Sequence, residues 1–436
     1  MCPRLPWAKR QLNFVGTGLR ATGKMFMFKK VFYGWWIVLA CFFISLYVGA
    51  VVFFGVTAFI SPLREEFGWS YTQISFATSL RGLEMGIFAP IVGFLVDRFG
   101  SKKLLLAGAI TTGLGLLLLS RTQSLAMFYA SFLLLAFGSG GCTSVVTMTA
   151  VANWFHKNIG IAFGVMASGF GASGLLVPLI VELIARYGWR MTLVILGLGM
   201  WVLGVPLSFV IRNNPEQYGQ VPDGHLSKNV RADQKIKSKR NKSAFKEAIR
   251  HRAFLYLNFT EMIRMMTVSA VVIHVMPYLS SVGISRTTSG LVAAAIPLFS
   301  IVGRVSFGWL GDRFDKRYVL AATFLLMGTG ILAFCSMQVL WIALLFLLLF
   351  PPGLGGSMVV RGAIIREYFG AASFGRMLGI LMGSASIGGI IGPTLAGWVF
   401  DTMADYRFVW LALCSLSVLA VVLISKIRPF ENGRSA

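Results

Sequence analysis

The chain has 436 residues, of which 56% are hydrophobic and only 13% charged, with a formal net charge of +24. A soluble domain carries about 25% charged residues, so this composition excludes an ordinary water-soluble globule and points to an integral membrane protein. The positive charge does not mark a nucleic-acid binder. It collects in the first 30 positions (Arg4, Lys9, Arg10, Arg20, Lys24, Lys29, Lys30) and between residues 212 and 252, where the positive-inside rule places the charge of cytoplasmic segments.

Residues 1–30 read as a basic cytoplasmic segment. Met25 or Met27 would make a natural start, so the stretch 1–24 is expected to be disordered or foreign to the native protein. Apolar runs then follow at 34–60, 72–96, 104–121, 125–152, 160–185, 190–211, 253–280, 287–311, 318–336, 339–365, 375–400 and 406–426. Each is close to the ~20 residues that a bilayer span needs, and several are apolar all round, as helices between lipid and protein must be. Twelve spans put both termini on one side. The basic N-terminus, the linker and the tail (Lys426, Arg428, Arg434) agree that this side is the cytoplasm. The opposite loops are poorer in basic residues, the first carrying Arg64, Glu65 and Glu66, the fourth Arg286.

The chain therefore divides into a six-helix bundle over residues 31–211, a cytoplasmic linker over 212–252, a second bundle over 253–427 and a cytoplasmic tail over 428–436. The linker is rich in Lys, Asn and Ser, as flexible linkers are, and its end, Ala244–Arg252, reads as a short interfacial helix. The first apolar run is too long for a cleavable signal peptide. Five cysteines without paired spacing indicate neither a disulfide framework nor a metal site.

The two bundles repeat each other. G-F-L-V-D-R-F at 93–99 recurs as G-W-L-G-D-R-F at 308–314, an offset of 215 that also carries Gly160 onto Gly375, Gly164 onto Gly379 and Pro178 onto Pro393. Such halves imply a pseudo-twofold axis along the membrane normal, with solute bound between them near the midplane. Asp97 and Asp312 fall at helix ends, where a carboxylate can accept hydrogen bonds from the free amides of a facing helix start. The offset nominates the start of span 11, near Phe374, for Asp97 and the start of span 5, near Ile159, for Asp312. Gly93, Asp97, Arg98 and Gly308, Asp312, Arg313 are thus candidates for a conformational latch.

The loop G-F-L-V-D-R-F-G-S-K-K at 93–103, with its second copy at 308–317, resembles the loop signature of the major facilitator superfamily. Y-G-W-W-I-V at 33–38, W-F-H-K-N-I-G-I-A-F-G at 154–164, Y-G-W-R at 187–190, H-V-M-P-Y-L at 274–279 and S-I-V-G-R-V-S-F-G-W-L-G-D-R at 300–313 are similar to the monocarboxylate transporters and the oxalate/formate antiporters. The resemblance implies an all-α membrane protein with the major facilitator fold, 12 transmembrane helices in two pseudo-symmetric six-helix bundles. It also implies secondary transport of a small organic anion, a monocarboxylate, by alternating access with a proton or counter-anion.

In those families an arginine of span 8 binds the substrate carboxylate, and Arg304 matches it. Read physically, an arginine deep in an apolar run is costly and is kept for function, and its planar fork suits a carboxylate; a structural pair with an acid is the other reading. Three departures stand out: Ser300 replaces the aspartate one turn earlier, Phe54 or a neighbour replaces the lysine of span 1, and residues 377–400 contain no lysine.

Other intramembrane charges come in pairs three apart, Arg81 with Glu84 and Glu261 with Arg264. Residues so spaced share a helix face, so mutual neutralisation is one reading and proton loading at Glu84 or Glu261 the other. Arg81 and His274 are further candidates for the substrate site, and His274 for the proton. Arg361 and Arg366, near the inner end of span 10, read as side chains that snorkel to the interface.

Two apparent motifs lead nowhere. G-L-R-A-T-G-K-M at 18–25 lacks the Ser or Thr of a phosphate-binding loop, and G-F-G-A-S-G at 169–174 lies inside span 5, where small residues serve helix packing. The drug/proton antiporter pattern is not reproduced either, since span 4 has no basic residue and Pro178 no preceding glycine. His156, His225, His251 and His274 are scattered, so no cofactor, no metal and no catalysis is expected. The protein reads as a multi-pass monomer of the cell (inner) membrane, with membrane lipids and its solute as partners. A carrier of another metabolite or drug, or a non-transporting receptor, are the alternatives.

Overall fold

The computed structural model describes residues 32–70, 73, 74, 76, 84–224, 245, 247–336, 340–403 and 405–427. Expectations that fall on residues 1–31, on most of the linker and on the tail lie outside these. The described chain is helical, as it has to be in hydrocarbon, where every backbone polar group needs a partner from its own segment.

The first bundle comprises α1 (Tyr33–Phe67), α2 (described over 84–99), α3 (Ser101–Ser120), α4 (Leu125–Trp154) and a continuous Ile159–Val210. The last holds two spans. Gly188, at φ 76°, reverses the chain between α5 (159–187) and α6 (189–210) without a loop, a backbone angle that glycine alone adopts freely. The second bundle comprises α7 (Arg252–Ser281), α8 (Arg286–Arg313), α9 (Lys316–Cys335), α10 (Leu340–Phe369), α11 (Phe374–Met403) and α12 (Arg407–Ser425).

Two boundaries differ from the sequence reading. The segment Ile60–Phe67 continues α1 and stops only at Gly68, φ 68°, so Arg64, Glu65 and Glu66 are helical and not loop. The reason is a tertiary tie: Glu66 accepts from the Trp189 indole at 2.6 Å and from Arg190 at 2.6 Å, and Arg190 also donates to the Ser120 carbonyl at 2.9 Å. That cluster joins α1, α3 and α6. Likewise α10 runs to Phe369, which places Arg361 well inside it.

The twofold repeat is visible in the contacts between bundles. Where α5 crosses α8, a Cβ at Gly160 would strike the Gly308 carbonyl; where α11 crosses α2, a Cβ at Gly93 would strike the Gly375 carbonyl. One turn on, Gly164 faces the carbonyl of Arg304 and Gly379 that of Ala89. Each pair maps onto the other by the offset of 215. Small residues let these backbones approach, which is what holds helices together without a hydrophobic drive.

These crossings lie toward the face where residues 32 and 427 emerge. Toward the other face Leu175, Leu179 and Leu291 are exposed, and a Cβ at Gly174 or Gly290 would meet nothing among the described residues. The bundles are thus clamped at the face where residues 32 and 427 emerge.

Within the second bundle α8 lies close on α10, where Gly303 abuts the Pro352 carbonyl and Gly355 the Ser300 carbonyl. Overpacking a close contact costs typically ~1–3 kcal/mol. Gly303→Val should therefore lower the melting temperature in detergent by about 3 °C or more; an unchanged melt would mean that these helices have room to part.

Candidate substrate-binding site

A cavity of about 440 Å³ lies between the bundles, walled by α1, α2, α4 and α5 on one side and α7, α8, α10 and α11 on the other. Positions related by the repeat face each other across it, but their chemistry differs: Ala89 stands where the second bundle has Arg304, and Thr143 where it has Met358. The lining arginines, Arg264, Arg304 and Arg361, come from the second bundle, while the first contributes the hydroxyls of Ser45, Thr143, Ser144 and Thr147. The last three sit where α4 breaks after Gly140 and resumes at Ser144.

Arg304 is 4% exposed. Its Nη1 donates to the Ala167 carbonyl of α5, its guanidinium carbon lies 6.0 Å from the Phe170 ring centre, and its Nε is buried without a partner. No carboxylate pairs with it among the described residues. Ser300 cannot stand in, because its hydroxyl donates to the Pro297 carbonyl at 2.6 Å. A buried cation with an unused donor is costly, and an anion in the cavity would satisfy both.

Glu261 and Arg264 do pair, with Arg264 donating from Nε at 2.9 Å and Nη2 at 2.5 Å. A third member joins them from α10. Arg361, 4% exposed, forms an ion pair with Glu261 and is not a snorkelling side chain. Its counter-charge lies on another helix, and α10 extends two turns past it. Arg366 likewise stays at home, donating from Nε to the Ala152 carbonyl across the bundle interface at 2.8 Å.

The two aspartates sit at the clamped face. Asp97 accepts from the amides of Gly375 and Arg376 at 3.0 and 3.1 Å, and from Arg376 Nε at 3.0 Å. Asp312 accepts from the amides of Gly160 and Ile161 at 2.7 and 2.8 Å. Both carboxylates thus cap the first turn of a helix in the opposite bundle, where free amides and the helix dipole favour negative charge. Arg98 and Arg313, the signature's arginines, are exposed and lie over the rings of Phe99 and Trp309; Arg376, which reaches Asp97, also stacks on Phe245 at 4.3 Å. In the following turn Asp315 accepts from the Arg317 guanidinium and amide, and these hydrogen bonds hold its carboxyl below the usual range.

A profile of the Major Facilitator Superfamily matches residues 35–278 and 257–436. The chain belongs to the Major Facilitator Superfamily. Among curated relatives, monocarboxylate transporter 12 of Xenopus laevis is 24% identical over 419 residues, covering 91% of this chain and 90% of its own. Human monocarboxylate transporter 2 is 24% identical over 429 residues, covering 92% and 89%. The fold matches the crystal structure of the human organic anion transporter MFSD10 with a TM-score of 0.71, at 13% identity, over 90% of this chain and 99% of that one.

In this facilitator-superfamily transporter not every candidate reaches the cavity. His274 is half-buried, with Nδ1 3.1 Å from the Tyr406 hydroxyl and Nε2 3.1 Å from the Pro393 carbonyl. A carbonyl can only accept, so Nε2 carries the proton and the ring is satisfied as it stands. Its neighbours are the aromatic cluster of Tyr278, Tyr406 and Trp410, away from the cavity lining. Arg81 and the side chain of Glu84 lie outside the described residues.

The triad of Glu261, Arg264 and Arg361 yields a stability prediction. Removing one partner from a buried ion pair costs ~3–5 kcal/mol, because the other charge is left uncompensated. Glu261→Gln should therefore melt well below wild type in detergent, and adding Arg361→Met should restore part of the loss. Equal melting of wild type and Glu261→Gln would show that the cations find other partners.

Proposed function

We propose that this transporter moves a small organic anion, a monocarboxylate, across the cell membrane by alternating access, working as a monomer with both termini cytoplasmic. Arg304 carries the reading: it is a buried arginine on the cavity wall, without an acidic partner among the described residues and with a donor unused. The carboxylate of the solute is its missing partner, a role that the names of the curated relatives also support. The clamped terminal face supports an outward-open state in which Asp97 and Asp312 act as cytoplasmic latches.

Coupling runs through a proton or a counter-anion. Glu261, between Arg264 and Arg361 at the cavity edge, is the carboxylate best placed to respond to an incoming negative charge, and Glu84 is the second candidate.

Counterflow in proteoliposomes with labelled mono- and dicarboxylates tests the reading. Accumulation of a monocarboxylate against its unlabelled form is expected. A folded, reconstituted protein that moves no acid of the panel would overturn it.

A further inference from the structure

The cavity holds far more room than a three-carbon acid fills. Six heavy atoms take up about the space of six waters at ~30 Å³ each, under half of the 440 Å³ present. Apart from Arg264, Arg361 and the hydroxyls of Ser45, Thr143, Ser144 and Thr147, what surrounds the rest is apolar and aromatic.

The place of the carboxylate is set by Arg304. Its Nη1 is seated on the Ala167 carbonyl, and a Cβ built at Gly171 would come within 3.0 Å of the same nitrogen. The guanidinium therefore rests on the 167–171 turn of α5, beside Phe170, whose ring centre is 6.0 Å away. Phe170 in turn meets Phe53 edge-on at 5.1 Å and Phe54 at 5.7 Å. Phe53 and Phe170 both line the cavity. An acid held by Arg304 has to run its body along this aromatic wall.

Methionines from four helices also line the cavity: Met166 on α5, Met265 on α7, Met358 on α10 and Met382 on α11. Thioethers are polarisable, adapt in shape and contact aromatic rings favourably. Aromatic pairs set edge to face add ~0.5–1.5 kcal/mol beyond area burial. A cavity in which one of three lining arginines, Arg304, has no acidic partner among the described residues, and which also offers aromatic rings and thioethers, is complementary to a carboxylate joined by a short spacer to an aromatic ring.

We infer that the solute is an arene-bearing monocarboxylate, its carboxylate on Arg304 and its ring between Phe170 with Phe53 and the methionine wall. This inference rests on the anion reading above and narrows it.

The test is counterflow in proteoliposomes with three labelled acids: lactate, 3-phenylpropanoate and 3-cyclohexylpropanoate. The last two differ in aromaticity at nearly equal size. Phenylpropanoate should be taken up about tenfold better than lactate and several-fold better than the cyclohexyl acid, the factor that the aromatic increment corresponds to. Phe170→Leu should erase the preference for phenyl over cyclohexyl, and a melt in detergent checks that this variant is folded. Should it not fold, competition of phenylpropanoate and cyclohexylpropanoate against labelled phenylpropanoate in the wild type decides the matter by itself. Uptake of lactate without the aryl acid, or equal handling of the phenyl and cyclohexyl acids, would overturn the inference and leave the anion reading intact. Failure of all three acids would overturn the reading beneath it.

Discussion

Arg304→Ala is expected to abolish anion counterflow while leaving the protein folded. Truncating one partner of a buried, hydrogen-bonded charge pair costs ~2–5 kcal/mol of binding, about 30-fold to several thousand-fold in affinity. Stability should move the other way. In the described state the guanidinium is 4% exposed with an unpaired Nε, so its removal relieves a desolvated charge at the cost of one hydrogen bond to the Ala167 carbonyl. Loss of transport with an equal or higher melting temperature is the mark of a residue kept for function against stability. Arg304→Lys keeps the charge but not the planar fork, and should recover only part of the uptake. Full transport by Arg304→Ala would remove this arginine from the site. A collapsed melt would make it a structural tie between α5 and α8.

Joint replacement of Asp97 and Asp312 by Asn should shift the protein toward the state open at the terminal face. Each carboxylate accepts from two backbone amides of the opposite bundle, and hydrogen bonds to charged groups contribute ~1.5–3 kcal/mol. Asparagine offers one acceptor where aspartate offers two, so the double variant forfeits at least two such bonds. That is a shift of roughly 100-fold or more in a two-state equilibrium. Lys157 and Ala372 are exposed on the loops that precede α5 and α11 and are related by the repeat, which makes them suited to spin labels. The distance between them should lengthen in the double variant. Solute affinity should change little in itself, because neither aspartate lines the cavity, while exchange slows. An unchanged distance distribution would end the latch proposal.

How much of this was legible beforehand differs from residue to residue. The partners of Asp97 and Asp312 could be named in advance because the repeat maps one helix start onto the other, and a helix start always has free amides to offer. Arg376 was not legible because a basic residue at the end of a span reads as topology; only the tertiary structure places it beside Asp97. Arg361 was misplaced for a similar reason. Four residues from the end of an apolar run, a cation reads as snorkelling, and nothing near it in sequence announces that Glu261 on α7 will meet it. His274 carried a real signal, a polar ring in an apolar helix, yet the signal cannot distinguish a cavity from a carbonyl and a hydroxyl waiting on neighbouring helices.

By itself the amino-acid order determined that this chain crosses a membrane in twelve helices and that the helices form two copies of one bundle. Hydrocarbon demands about 20 apolar residues per span and a backbone that satisfies itself, and both requirements are local, so they are written along the chain. The tertiary structure alone decided which buried charges pair with one another and which has no acidic partner among the described residues. That outcome depends on distances of a few ångströms between helices remote in sequence, where Coulomb energy and desolvation are both large and nearly cancel. Glu261 pairs with Arg264 and Arg361, and Arg304 lines the cavity without an acidic partner among the described residues.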